Sequence, residues 1–226
     1  MTFSKPPILQ ARAVIFDVDG TLVDSVDFHA EAWRRAFAAF GHEFAFNAIR
    51  SQIGKGGDQL LPVFLDGHVL KKQGEAIEAR RRELFEREYF PRVQGFPRTA
   101  ELFRFLIDAG KTLALGSSAK ASDLEVYKTA AGINDLMMVE TTSDDAERSK
   151  PHPDIFLAAL ERLKLPAKDV MVVGDTPYDV EAAEKAGMSA TGLLCGGFSE
   201  ASLREAGAVD VYRDPSHLLE VLEAST

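Results

Sequence analysis

The sequence has a single cysteine in 226 residues. No internal disulfide can form, and with no secretory pattern in the sequence the chain is expected in a reducing cytoplasm. It has no apolar run near the ~20 residues that span a bilayer, so no membrane partner is expected. It has no excess of positive charge: 26 Lys and Arg stand against 35 Asp and Glu, a formal net charge of −9. Nucleic acid recruits Lys and Arg to its phosphates, so an acidic chain excludes it as the expected partner. Internal repeats and low-complexity tracts are also missing. The lone Cys195, in GLLCGGF, reads as a small hydrophobe and not a nucleophile. The local run Arg80, Arg81, Arg82 alternates with Glu83, Glu86 and Glu88 and reads as a solvated helix face.

What is present is an ordinary globular balance, 46% hydrophobic and 27% charged, enough for one large domain or a domain with an insert. Residues 12–17 read as a short buried strand. From 26 the pattern turns helical: Phe28, Trp33, Phe37 and Phe40 recur at helical spacing and Gly41 closes the run. Further helices are expected at 47–53, 58–65 and 71–90, with no strand in the whole stretch. From 98 onward helix and strand alternate, with strands expected at 112–118, 136–140, 169–174, 189–194 and 209–213. Apolar strands alternating with helices imply a parallel sheet covered on both faces. The expected architecture is α/β: a Rossmann-like parallel core from residues 1–25 and 95–226, and an all-helical cap domain inserted at 26–94.

Ligands of open parallel sheets bind beyond the carboxyl ends of the strands. The segment AVIFDVDGTLVDS delivers Asp17 and Asp19 there, TLALGSS delivers Ser117 and Ser118, and the loop after the third strand holds Lys150. VMVVGDTPYD delivers Asp175 and Asp179. Crowded carboxylates call for a cation, and hard oxygen ligands suit Mg²⁺. A lysine and a hydroxyl suit a phosphate, and an aspartate beside both can attack phosphorus. Gly20 lets the backbone pass close to the phosphate, and Thr21 can donate a hydrogen bond.

These four motifs, in this order and with a helical insert after the first, resemble those of the haloacid dehalogenase-like hydrolases in the branch with a small helical cap. The likeness covers essentially the whole chain. It implies that Asp17 is the nucleophile forming an aspartyl-phosphate and that Asp19 is the general acid, then base. It implies that Ser117 and Lys150 hold the phosphate. Asp17, the backbone carbonyl of Asp19, Asp175 and Asp179 would surround Mg²⁺. Within the family, dehalogenases and phosphonate hydrolases lack the second aspartate, so Asp19 favours phosphoester chemistry, whose alkoxide leaving group needs an acid.

The cap segment FHAEAW resembles that of sugar-phosphate members, including the β-phosphoglucomutases, and His29 faces either the substrate or the core. In IGKGGDQLL the amides and Lys55 either reach an anionic substrate or form a plain helix–helix turn. Lys120 matches a substrate-contacting lysine of mutase-like members, and Ser118 lies beside it. Mutases carry an arginine in this cap loop that grips a second phosphate. The chain has none between Ser51 and Leu70. The reading is a Mg²⁺-dependent phosphatase of a small phosphorylated metabolite, expected as a monomer. The alternatives are a sugar phosphomutase of the β-phosphoglucomutase type and a catalytically silent binding protein that keeps the fold.

Overall fold

The structure is a computed structural model that describes residues 5–136 and 139–225. Strand β1 (Ala13–Phe16) is buried along its whole length. Val14 and Phe16 enter the hydrophobic cluster on one side of the sheet, Ala13 and Ile15 the cluster on the other. The same two-residue alternation divides Leu113 and Leu115 from Ala114, and Met171 and Val173 from Val170 and Val172. Each large side chain so buried contributes about 1.5–3 kcal/mol. A strand apolar on both faces therefore ends up in the middle of the sheet.

Six parallel strands form that sheet in the order β5 (Val139–Thr141), β4 (Thr112–Gly116), β1, β6 (Val170–Gly174), β7 (Ser189–Leu193), β8 (Asp210–Tyr212). The chain builds outward from β1 to one side, then returns to add β6 on the other. The carboxyl ends of β1, β4 and β6 thus converge at the point where strand order reverses. Helices α5 (Thr99–Asp108) and α10 (Pro215–Glu223) bury Leu102, Phe103, Leu106, Leu218 and Leu222 in the first cluster. Helices α7 (Asp154–Leu163) and α8 (Pro177–Lys185) close the second with Ile155, Phe156, Val180 and Ala183. Helices α6 (Ala121–Ala131) and α9 (Glu200–Glu205) complete this part.

Between β1 and β4 stand α1 (Val26–Ala39), α2 (Phe46–Arg50), α3 (Gly57–Phe64) and α4 (Gly67–Glu88). Phe37 of α1 ties in the following loop and α3: its ring lies 5.6 Å from Trp33, 5.1 Å from Phe44 and 5.4 Å from Phe64. Gly41, at φ +82°, turns the chain after α1. Helix α4 starts earlier than its apolar pattern indicates, because the Asp66 side chain accepts from the amides of His68 (2.9 Å) and Val69 (3.0 Å) and so caps it.

Two expectations need correction. The helical stretch is bounded by a ribbon the sequence did not announce: β2 (Val23–Asp24) pairs antiparallel with β3 (Gln94–Gly95) where the chain enters and leaves the four helices. Two-residue strands carry no readable periodicity. The third strand, expected at 136–140, runs Val139–Thr141 in its described part, and residues 137 and 138 lie outside the described residues. Among the described residues no helix is long and apolar enough to cross a membrane.

Candidate active site

Asp17 leaves β1 with its amide still bonded to the Val173 carbonyl of β6, at 2.9 Å. Its side chain is therefore held at the switch point and is only 6% exposed. There it meets Thr21 of its own motif and, from distant segments, Lys150, Asp175 and Asp179. The Lys150 ammonium makes a hydrogen bond to Asp17 Oδ1 and sits 2.8 Å from Asp179 Oδ1, an ion pair whose geometry is off-line for a hydrogen bond. The Thr21 hydroxyl lies 2.8 Å from Asp175 Oδ1 and 3.2 Å from Asp17 Oδ2. Asp179 Oδ2 accepts from the amide (3.1 Å) and hydroxyl (2.7 Å) of Thr176, the N-cap of α8. That capping box fixes Asp179 in the first helical turn.

Oxygens of Asp17, Asp175 and Asp179 all lie within 4.8 Å of one another. Three buried carboxylates facing one ammonium leave the cluster formally two charges short of neutral. Burial pushes the Asp17 carboxyl up to about 7, against the pull of Lys150 and with a further push from Asp179. Burial and the neighbouring Asp17 and Asp179 likewise carry Asp175 well above the usual carboxylate range. Asp175 Oδ2 is buried with no hydrogen-bond partner. The backbone presses closely around it: a Cβ on Gly20 or Gly196 would stand 2.5 Å or 1.6 Å from that oxygen. A buried all-oxygen set with an unpartnered atom and a deficit of two charges fits a small hard divalent cation such as Mg²⁺.

Asp19 points away from this cluster, into the helical side. Its Oδ1 accepts from Ser25 Oγ at 2.6 Å and meets His29 Nε2 at 2.9 Å. The Tyr127 hydroxyl lies 3.3 Å from the same nitrogen, and the His29 ring stacks on Phe85 with centroids 3.9 Å apart. Burial alone would raise the Asp19 carboxyl, but His29, Ser25 and Tyr127 outweigh it and hold it below its ordinary value. The two aspartates of the first motif therefore sit in opposite environments.

A cavity of about 280 Å³ opens above both. Asp17, Asp19, His29, Ser118 and Lys120 line it, as do Lys55 and the glycine turn at 54–57. Four expectations change in detail. Thr21 and Gly20 are turned to the carboxylates, not to the cavity. Ser117 is fully buried and its Oγ accepts from the Ala119 amide at 3.1 Å, while Ser118 is the serine on the wall. Lys55 reaches the wall, but its ammonium bonds Gln52 Oε1 at 2.6 Å and lies 4.5 Å from the centre of the Tyr178 ring. His29 is neither a plain packing residue nor free, because it is tied to Asp19.

The glycine turn is a docking element. Gly54, at φ +107°, would place a Cβ 2.6 Å from Thr176, and Gly56 would place one 2.0 Å from Ser149 Oγ. The Ser149 amide donates to Asp58 Oδ2 at 3.1 Å, and the Tyr178 hydroxyl donates to the Ser51 carbonyl at 2.8 Å. The helical side thus rests on the loops that carry Lys150 and Asp175 and forms the roof of the cavity.

The reading of Arg80–Arg82 as a solvated face is corrected as well. Arg81 and Arg82 line the cavity, together with Glu78 and Phe85 of the same helix. The signal was in the spacing: 78, 81, 82 and 85 share one face of an α-helix. Tyr127 and Asp123, one helical turn apart on α6, were missed in the same way. Cys195 donates its thiol to the Gly20 carbonyl at 3.0 Å, and burial, with a smaller contribution from Asp175, pushes its pKa far up, which suits an inert thiol.

Known proteins resemble this chain over most of its length. The chain is 29% identical over 213 residues to a phosphorylated carbohydrates phosphatase of Thermotoga maritima, covering 94% of this chain and 98% of that protein. It is 35% identical to a phosphoglycolate phosphatase of Yersinia pestis over 82% of each. A solved hydrolase structure from Pseudomonas syringae superposes with a TM-score of 0.84 at 30% identity, covering 94% of this chain and 98% of that one. The family profile for haloacid dehalogenase-like hydrolases matches residues 11–187, and the chain belongs to that family.

Proposed function

We propose that this hydrolase is a Mg²⁺-dependent phosphatase of a small phosphomonoester, a phosphorylated carbohydrate or a phosphoglycolate-like acid, acting through an aspartyl-phosphate. One observation carries the reading: Asp17 lines the floor of the cavity, bonded to Lys150, within a carboxylate cluster that lacks two positive charges. The names of the relatives support the same chemistry. Asp17, Asp175, Asp179 and the Asp19 carbonyl would hold Mg²⁺, which when bound neutralises charge on the phosphoryl oxygens and keeps Asp17 ionised.

The Asp17 carboxylate attacks phosphorus; the bond to the substrate oxygen breaks, and that oxygen takes a proton from the hydrogen-bonded Asp19–His29 pair. Water then attacks the phosphorus of the aspartyl-phosphate, returns a proton to Asp19, and releases inorganic phosphate and a free Asp17. Lys150 neutralises the phosphoryl group throughout, while the docked helical side excludes bulk water. A mutase would need a firm grip on a second phosphate in the glycine turn. Lys55, the only cation there, is already occupied by Gln52 and Tyr178.

The test is phosphate release over a broad metabolite panel, with Mg²⁺ or with EDTA, for the parent and for Asp17→Asn. Release from small phosphomonoesters that needs the metal and falls at least about 10⁴-fold in the variant is the expected result. A variant as fast as the parent would remove Asp17 from the chemistry. Interconversion of isomeric sugar phosphates without net phosphate release would favour the mutase.

A further inference from the structure

The four cations in the cavity wall are not alike. On α4 the outward arginines are paired: Arg80 with Glu83 at 2.6 Å, and Arg87 with Glu83 at 3.0 Å and Glu88 at 2.6 Å. The inward ones differ. Among the described residues neither Arg81 nor Arg82 has a hydrogen bond or ion pair, and the buried Arg81 Nε has no partner at all. The Arg81 guanidinium lies 5.1 Å from the centre of the Trp33 ring, which fixes its plane without neutralising it. Glu78, one turn earlier, faces the same space but stands outside ion-pair distance. Lys120, across the cavity at the start of α6, also has no ion pair among the described residues.

A half-buried guanidinium with no counter-ion raises the free energy of the protein until an anion meets it. Sugar hydroxyls can accept from it but cannot cancel its charge. A carboxylate or phosphate does both, and the planar fork binds either in two-point fashion. The transferring phosphate is already served by Lys150 at the cavity floor. Resting on the phosphatase reading above, we infer that Arg81, assisted by Arg82 and Lys120, binds a second anionic group of the substrate. The substrate class is then a phosphomonoester that carries another negative charge near the ester, and neutral sugar phosphates are the poorer substrates.

Steady-state phosphate release tests this with four compounds: 2-phosphoglycolate (second group a carboxylate), fructose 1,6-bisphosphate (second group a phosphate), glucose 6-phosphate and p-nitrophenyl phosphate (no second anion). The parent is expected to favour one of the first two over glucose 6-phosphate by about 10-fold or more in kcat/KM, and which one it favours names the second group. Arg81→Ala should cut that preference by about 10²-fold, chiefly through KM, with partial rescue by Arg81→Lys. Arg80→Ala, on the outer face, should match the parent. Equal losses on all four compounds, or none, overturn the inference while leaving the phosphatase standing. No phosphate from any compound overturns the phosphatase reading instead. The subsite is then read without turnover, by calorimetric titration of 2-phosphoglycolate and of fructose 1,6-bisphosphate into Asp17→Asn and Asp17→Asn/Arg81→Ala. Equal affinities of the two proteins for both compounds overturn the inference there.

Discussion

The floor and the roof of the cavity are built on opposite plans. On the floor nearly every polar atom has a protein partner: Asp17 with Lys150, Thr21 with Asp175, Asp179 with Thr176. The exception, Asp175 Oδ2, is enclosed by backbone. In the roof, Arg81, Arg82 and Glu78 face the space with no hydrogen bond or ion pair among the described residues, beside Trp33 and Phe85. Groups that hold a transition state must already be in place when charge develops. Groups that choose a substrate must be left unsatisfied until it arrives. The difference separates chemistry from choice within one cavity.

The sharpest way to break the comparison is to remove the cation that faces the carboxylates of the floor. Lys150→Ala should cost about 3 kcal/mol or more of stability, because it leaves carboxylates buried and unpaired. It should also lower phosphate release at least about 10³-fold; thermal unfolding and initial rates check the two separately. A next, smaller effect is the response of stability to pH. Asp17 titrates near 7 in the folded, metal-free protein against 3.8 in the unfolded chain, and Asp175 is raised in the same direction. A raised acid favours the folded state at low pH, and that benefit is lost as pH climbs through the folded value. Without metal, the melting temperature should therefore fall between about pH 4 and 7, apart from the background trend seen in Asp17→Asn. Added Mg²⁺ should raise it more at pH 8 than at pH 5, since cation and proton compete for the same oxygens.

Docking of the roof is expected to matter less for stability than for rate. Gly54→Ala forces a Cβ into φ +107° and against Thr176, which should cost about 1–3 kcal/mol in the closed arrangement. It should lower kcat/KM roughly 10-fold, read against an unchanged Mg²⁺ affinity. The smallest effect is expected at Thr176→Ala, where the lost cap of α8 should remove about 1 kcal/mol. Metal affinity should weaken slightly as Asp179 loses its anchor, a change measurable by calorimetry.

Much of the floor was legible in the sequence because Asp17, Ser117 and Asp175 directly follow apolar strands. Asp17, Asp19, Ser117 and Asp175 could all be placed at strand ends by counting along short motifs. Lys150 was readable only through its motif, since its loop carries one short 3-10 turn, Ser143–Asp145, several residues away and no strand to give it a direction. The roof was not legible in the same way. Arg81 stands among mixed charges on a long helix, and its orientation depends on how α4 packs against α1, a tertiary fact with no local mark. Thr21 shows the limit within a motif: its presence was plain, but whether its hydroxyl turns to a phosphate or to Asp175 is decided by sub-ångström placement. A general acid was expected at Asp19; that a histidine from the helical side holds its carboxyl low was not, because His29 is ten residues away and its ring could have packed elsewhere.

The central claim is that phosphorus passes through Asp17. It is tested most directly by acid-quenching the enzyme during turnover of a labelled phosphomonoester with Mg²⁺ and mapping the phosphorylated residue by mass spectrometry. An acyl-phosphate on Asp17, absent from Asp17→Asn and present in Arg81→Ala when p-nitrophenyl phosphate is the donor, is the expected result. Turnover with no labelled protein, or with the label on any other residue, would contradict it.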